Sequence, residues 1–303
     1  MKKLIITGAT GMIGMELLKV LSNNYHIIIV TRNINKAKNL TGNKFEYITW
    51  NEELKFIEAM ENAHGVINLA GENIGKKRWT RNEKNKILTS RIYAGRVLSS
   101  VIDKTNNKPE IFIQASAIGY YTSHTDIEYT EKSKVATTSF IQKVCHQWEN
   151  STKENVKYNI RHVVIRIGLV MHKKNGVFKK VYNQFKLFAG GNLGDGNQWI
   201  SWIHITDVVN AIKFIIENHN ASGIYNIVSP QPVRYKQFAK LMANYQKRPL
   251  WFNIPGFLLM IIFGQMAKET ILVSLKVKPE SLIKLGYRFL YPNIKNVFEN
   301  EIN

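Results

Sequence analysis

Near its amino terminus the chain passes from an apolar run, Leu4–Thr7, through Gly8-Ala9-Thr10-Gly11-Met12-Ile13-Gly14 into MIGMELLKVL (12–21), whose apolar residues recur at helical spacing. Three glycines so spaced between a strand and a helix serve distinct ends. Gly8 permits a tight turn, Gly11 keeps a Cβ out of the path of a phosphate, and Gly14 lets helix and strand pack closely. The junction predicts a pyrophosphate-binding turn at a helix amino terminus, where unpaired N–H groups attract an anion. Gly8, Thr10, Gly11, Met12, Ile13 and Gly14 are the first candidate cofactor-binding residues.

The alternation continues along the chain. Residues 27–30 (IIIV) read as strand, 45–49 as strand, 52–60 as helix, 65–69 as strand, 81–104 as a long helix and 111–115 as strand. After a polar loop, 139–153 reads as helix, 162–167 as strand, 177–188 and 206–217 as helices and 223–228 as strand, with Thr206 or Asp207 capping the second of those helices. Near-continuous apolar strands separated by helices belong to a parallel sheet covered on both faces, so the fold class is α/β, a doubly wound parallel sheet. A dinucleotide-binding domain is expected over 1–229, with a flexible cleft-rim loop at 189–204 marked by Gly190, Gly191, Gly194 and Gly196. A smaller C-terminal domain, 230–303, punctuated by Pro232, Pro249, Pro255, Pro279 and Pro292, is expected to pack on the cleft.

Charge narrows the class less than its size suggests. With 42 Lys and Arg against 22 Asp and Glu, the formal net charge of +20 attracts anions of many kinds. Most of the excess is lysine spread over polar helical faces, without the aromatic interleaving of a nucleic-acid groove, so no specific nucleic-acid partner is expected. One denser cluster, Lys76, Lys77, Arg78, Arg81, Lys84, Lys86 and Arg91, is opposed only by Glu83. The single cysteine, Cys145, excludes an internal disulfide and a multi-cysteine metal site; no metal is expected, and the chain reads as cytoplasmic. The most apolar stretch, 257–263 (FLLMIIF), falls short of the roughly 18 residues of a membrane span, so no membrane partner is expected.

The tip of the second strand selects the cofactor. An NAD-preferring site offers an acid to the ribose hydroxyls there, whereas this chain reads Val30-Thr31-Arg32-Asn33, in which Arg32 suits a 2′-phosphate. NADP(H) is therefore favoured. Asn68-Leu69-Ala70-Gly71 closes the fourth strand with small residues where the nucleotide would lie against the backbone.

Gly71-Glu72-Asn73, Arg78-Trp79, Ser90-Arg91, Ser116-Ala117-Ile118-Gly119-Tyr120-Tyr121, Trp148-Glu149 and Trp202-Ile203-His204-Ile205-x-Asp207 together resemble one family. It is the group of atypical short-chain dehydrogenases called epimerase family proteins or nucleoside-diphosphate-sugar epimerases, and the resemblance extends through Arg248-Pro249 and Gly286-Tyr287-Arg288-Phe289 to its small C-terminal domain of unknown function. The resemblance implies NADP(H) contacts at Thr31 and Arg32, Leu69 and Ala70, Lys86 and Arg91, and Val170. The family usually follows its paired tyrosines with glycine; here Thr122 and a polar Ser123-His124-Thr125-Asp126 insertion stand instead.

Short-chain dehydrogenases typically pair a tyrosine with a lysine four residues on, which lowers the tyrosine pKa for proton transfer. The helix that should carry the pair, 139–149, contains no tyrosine; Ile141 and Cys145 fill the two slots. Tyr182 with Lys186 and Tyr291 with Lys295 match the spacing but lie away from the central strands, and are chance matches. The remaining candidates are Ser116, at the end of the fifth strand, and Tyr120 or Tyr121 just beyond it. The sequence thus predicts an NADP(H)-binding oxidoreductase or epimerase-like protein with a small-molecule substrate it does not identify. The alternative is a catalytically weak NADP(H)-binding regulatory protein, since some relatives bear the name cell-division inhibitor.

Overall fold

The structure, a computed structural model, describes residues 1–302, with side chains described through residue 300. Seven strands, β1 (Lys2–Thr7), β2 (Tyr25–Thr31), β3 (Glu46–Thr49), β4 (Gly65–Asn68), β5 (Ile111–Ala117), β6 (Arg161–Ile167) and β7 (Gly223–Ile227), form one sheet in the order β7-β6-β5-β4-β1-β2-β3. Every pairing in it is parallel. Successive side chains of a strand point to opposite faces, and the β-branched runs fill both. Leu4, Ile6, Ile27, Ile29, Ile67 and Ile113 pack with Leu17 of α1 (Met12–Leu21) and Ile212 and Ile216 of α7 (Ile205–Glu217). Ile5, Ile28, Val30, Val66 and Phe112 pack on the other face with Phe56 of α3 (Glu53–Met60) and Leu98 and Ile102 of α4 (Arg81–Lys104).

Helix starts follow local chemistry. The Thr80 side chain accepts from the Glu83 N–H to open α4, and Ser139 with Gln142 forms a reciprocal cap on α5 (Phe140–Asn150). α5 ends at Asn150, and the chain continues through a tighter helical turn at Lys153–Tyr158. At α7 the expected caps are corrected: the imidazole of His204 accepts from the Thr206 N–H. Asp207 is fully buried and takes the Tyr287 hydroxyl at 2.9 Å and the backbone N–H groups of Leu290 and Tyr291 at 2.9 and 2.8 Å. It anchors the C-terminal segment.

That segment builds the cleft walls rather than merely lying on them. Phe252–Ile254 pairs with Gly191–Leu193, Lys276–Val277 with Glu128–Tyr129, and Val233–Arg234 with Trp199–Ile200. The 189–204 loop, read from its glycines as flexible, is therefore strand-paired on two sides. A separate core joins Phe178 and Phe185 of α6 (Gly176–Lys186), Phe238 and Met242 of α8 (Tyr235–Gln246), Trp202, and Val297 and Phe298 of the terminal helix (Ile294–Ile302).

Candidate cofactor and substrate site

The sheet order reverses at β1: the chain leaves β1 toward β2 and β3, then returns to β4 on its other side. The carboxyl ends of these two strands open the crevice in which doubly wound folds hold ligands. Gly8 stands there with φ +68°, and a Cβ on it would lie 2.6 Å from the Leu69 carbonyl carbon. A Cβ on Gly14 would lie 2.5 Å from the Gly8 oxygen. Gly11 opens α1 with no side-chain cap, so the first-turn N–H groups remain available to an anion. Beneath the junction a buried polar ladder fixes the strand ends. The Thr7 hydroxyl donates to Asn68 Oδ1 at 2.7 Å and the Asn68 amide to Gln114 Oε1 at 2.9 Å. The residues present fit a dinucleotide: an open helix start, and a cradle that any Cβ would fill.

At the β2 tip, Thr31 is half-buried and Arg32 is exposed, its guanidinium 3.8 Å from a Glu72 carboxylate oxygen. The sequence shows no acid beside Arg32; the loop after β4 supplies one from forty residues on. Leu69 and Ala70 are half-buried along that loop, and Gly71 is exposed. Ser90 accepts from the Glu72 N–H at 3.1 Å, and Arg91 donates to the Glu72 and Ile87 carbonyls at 3.0 Å each. Arg91 is buried, its guanidinium 4.7 Å from the Trp148 ring centre, and burial lowers its pKa to about 10. Its first task here is to shape the 71–72 loop. Lys86 is exposed on the same helix, five residues or about 140° around α4 from Arg91. Val170 is buried in Leu169–Met171, beyond the end of β6, beside Ile203.

The carboxyl end of β5 is organised differently. Ser116 is buried and donates to Glu149 Oε1 at 2.7 Å. Glu149 in turn takes both Arg166 Nε and Nη2 at 2.9 Å. Burial works against the Arg166 charge, yet the bidentate Glu149 carboxylate holds its pKa above the ordinary arginine value. Arg166 Nη1 donates to the Tyr121 hydroxyl at 3.1 Å, and that hydroxyl donates to Asn226 Oδ1 at 2.8 Å. Burial raises the Tyr121 pKa, partly opposed by Arg166. Tyr121 is thereby corrected from a candidate proton donor to an interior strut. Tyr120 is half-buried, its ring held between the Arg166 guanidinium, 3.3 Å from the ring centre, and the His146 ring at 4.3 Å.

Glu149, Arg166 and Asn226 were missed as site residues by sequence reasoning. Glu149 stands two helical turns beyond Ile141 on the face that the absent pair would occupy, and that spacing was the available signal. Cys145 is fully enclosed and burial pushes its thiol up to about 12, which makes it a packing residue. The polar insertion after Tyr121 is pinned by the Ser123 hydroxyl, which accepts from the Ser274 N–H at 3.0 Å, and by the His124 backbone N–H, which donates to the Ser274 carbonyl at 2.9 Å. It lines a cavity of about 470 Å³ with Thr125, Asp195, Asn197 and Leu272. Among the described residues no cluster of three or more His, Cys, Asp or Glu is placed to hold a metal, and no helix is long and apolar enough to cross a membrane.

Residues 4–228 match the model of the NAD dependent epimerase/dehydratase family, and residues 254–301 that of a domain of unknown function, DUF1731. Epimerase family protein SH2119 of Staphylococcus haemolyticus is 36% identical over 304 residues, covering 100% of both chains. An epimerase family protein of Staphylococcus epidermidis is 34% identical over 303 residues, covering 100% of this chain and 99% of its own. Among solved structures, human epimerase family protein SDR39U1 (isoform 2) with NADPH superposes with a TM-score of 0.87 at 26% identity, over 98% of this chain and 99% of that one. The nucleoside-diphosphate sugar epimerase from Corynebacterium glutamicum gives 0.79 at 25% identity, over 99% of this chain and 58% of that one.

Proposed function

The chain belongs to the NAD dependent epimerase/dehydratase family, and on that premise we propose that it binds NADP(H) and acts as an oxidoreductase or epimerase-like enzyme on a small polar molecule in the cytoplasm. The observation that carries the reading is the uncapped glycine junction at the end of β1, with Arg32 at the neighbouring strand tip. The human relative of similar fold, which was crystallised with NADPH, supports the same cofactor. Gly8, Thr10, Gly11, Met12, Ile13 and Gly14 would receive the pyrophosphate, Thr31 and Arg32 the 2′-phosphate, and Leu69, Ala70, Gly71 and Val170 the nucleotide's flank. Arg91 supports these last through the loop it holds. Bound NADP(H) supplies hydride exchange; the chain's own part is to place the substrate and move a proton.

For that proton the side chains offer little. Ser116 already gives its hydrogen to Glu149, whose carboxylate is also held by Arg166. Ser116 is suited to accepting a hydrogen bond and orienting a hydroxyl or carbonyl. Tyr120 is the remaining phenolic donor, and turnover is expected to be slow, since acid–base assistance contributes about 10²–10⁴-fold. The commitment of Ser116 and Tyr121 to the Arg166 network also favours a second reading, a regulatory protein that binds NADP(H) with little turnover. Fluorescence titration should show NADPH binding more tightly than NADH; equal affinities would overturn the cofactor assignment. NADPH consumption over a panel of carbonyl compounds and sugar nucleotides separates the two readings. Tight binding without consumption of any panel member selects the regulator.

A further inference from the structure

We propose that this protein docks on an anionic lipid bilayer through an apolar lip formed by α9 (Gly256–Phe263) and the two segments beside it. α9 reads GFLLMIIF, without a polar face, and of its side chains only Leu259 is buried. Phe257 and Ile261 are each 63% exposed and Ile262 is 51% exposed. A helix apolar all round belongs inside a protein or a membrane, and here it stands outside. Nor is it an isolated apolar spot. Trp251 and Phe252, just before it, are exposed, and Phe252 pairs with Gly191. The exposed Leu187 and Phe188 come just before Gly191 in the chain, with the Arg248 guanidinium 4.3 Å from the Phe188 ring centre. Contiguous exposed apolar surface of this kind marks an interaction site.

Charge identifies the occupant. From residue 218 to residue 268 the chain contains no Asp or Glu, while it carries Arg234, Lys236, Lys240, Lys247, Arg248 and Lys268. From 172 to 194 it again has no acid and has five lysines. Contacts at the carboxyl end of α9 and in the loop beside it add further cations. A Cβ on Gly264, which ends α9, would lie 3.2 Å from Arg78 Nε, Lys84 Nζ donates to Gln265 at 3.1 Å, and Lys180 Nζ to the Gly75 carbonyl at 3.4 Å. The exposed Lys76, Lys77 and Arg78 therefore close the collar at one end, and Lys186, Lys247 and Arg248 at the other. The neighbouring acids are engaged elsewhere: Glu269 accepts from the Ile141 N–H and from Gln265, Glu83 is buried, Glu72 faces Arg32, and the exposed Asp195 accepts from the Asn197 N–H and side-chain amide. An apolar element within a cationic collar is the chemistry of a protein that lies in the headgroup region of an anionic membrane. A second copy of the chain would set collar against collar, and duplex nucleic acid offers nothing for Phe257 or Ile261 to enter. The expectation of no membrane partner rested on spanning length, which docking does not require.

The test is flotation of the full chain with phosphatidylcholine vesicles, with and without phosphatidylglycerol, at low and high salt. Binding is expected to the anionic vesicles alone, weakened by salt. The pair Phe257→Glu with Ile261→Glu should reduce it about tenfold or more, and the pair Lys76→Glu with Lys77→Glu should reduce it about thirtyfold or more, since each cation near the surface contributes about 1 kcal/mol. Thermal midpoints and NADPH affinity, read on the same variants, establish that they are folded. Absence of binding by the parent chain, equal binding to both vesicle types, or full binding by the folded Phe257 and Ile261 variant overturns the proposal. A parent that ignores vesicles but sediments as a dimer, which the Glu variants convert to monomer, assigns the lip to self-association instead.

Discussion

The carboxyl ends of β1 and β5 lie in one crevice and are built on opposite plans. At β1 the site is made by what is left out: no side chain at Gly8, Gly11 or Gly14, and no cap on α1, so backbone donors wait for a guest. At β5 it is made by side chains that satisfy one another, from Ser116 through Glu149 and Arg166 to Tyr121 and Asn226. Polar groups already paired are poor at binding anything else, because a new partner must replace a bond rather than add one. The contrast is between a junction open to a nucleotide and a side-chain network already closed on itself.

The largest expected effect tests the closed network. Arg166→Ala leaves the Glu149 carboxylate beneath the surface without its cation and should cost about 3–5 kcal/mol in chemical denaturation, while Arg166→Ala with Glu149→Ala should cost less than the two single changes summed. Near-parent stability of the single variant would mean that the network is hydrated and the contrast is false. Gly8→Ala attacks the other plan. Its Cβ meets the backbone of Leu69 at 2.6 Å in a conformation with positive φ, so a loss of about 2–3 kcal/mol and failure to bind NADPH are expected; unchanged binding in calorimetric titration would show the turn to be pliable.

Acid separates both regions from the frame that carries them. His162, against Phe112 on the strand next door, is driven by burial to a pKa of about 4, below its unfolded value of roughly 6.5. The unfolded chain therefore takes the proton first. Stability is whole above the unfolded pKa and falls as pH drops toward the folded one, by about 2 kcal/mol between pH 6.5 and 5. His162→Gln should flatten that part of the profile, measured by urea midpoints, and an unaltered slope would place the acid sensitivity elsewhere. The smallest effects sharpen the nucleotide side. Arg32→Ala should weaken NADPH about tenfold and leave NADH nearly untouched, while Glu72→Gln, by freeing Arg32, should tighten NADPH about two- to threefold. Equal losses for both cofactors in Arg32→Ala would take the 2′-phosphate away from that residue.

The same contrast explains what could be read from the sequence. The glycine junction is local, residues 4–21, in which strand, turn and helix state their roles together, and the apolar runs that follow specify the parallel sheet. Arg81–Lys104 was legible to the residue because Thr80 and the apolar stripe mark it. The β5 network draws on positions 116, 121, 149, 166 and 226; apart from the helical spacing of Glu149 from Ile141, no local rule connects them, since strand order makes them neighbours. The Arg32 and Glu72 pair is hidden for the same reason. Asp207 misled in a different way: an acid in the first turn of a helix usually serves that helix, and here burial turned it to Tyr287, Leu290 and Tyr291.

The core shared by α6, α8 and the last helix has a consequence for the protein's making. Phe178, Phe185 and Trp202 are synthesised long before Phe238 and Phe298, the rings and helices that cover them. Since chains emerge amino end first and fold as segments become available, the ribosome-bound molecule holds its complete sheet while a bare aromatic face waits for the final helix. Such a stage is expected to be open to aggregation and to proteases. Removal of residues 294–303 should make that stage permanent: limited proteolysis is expected to cut within α6 in the shortened chain and to spare it in the whole one, and equal resistance would show that α8 alone suffices as cover.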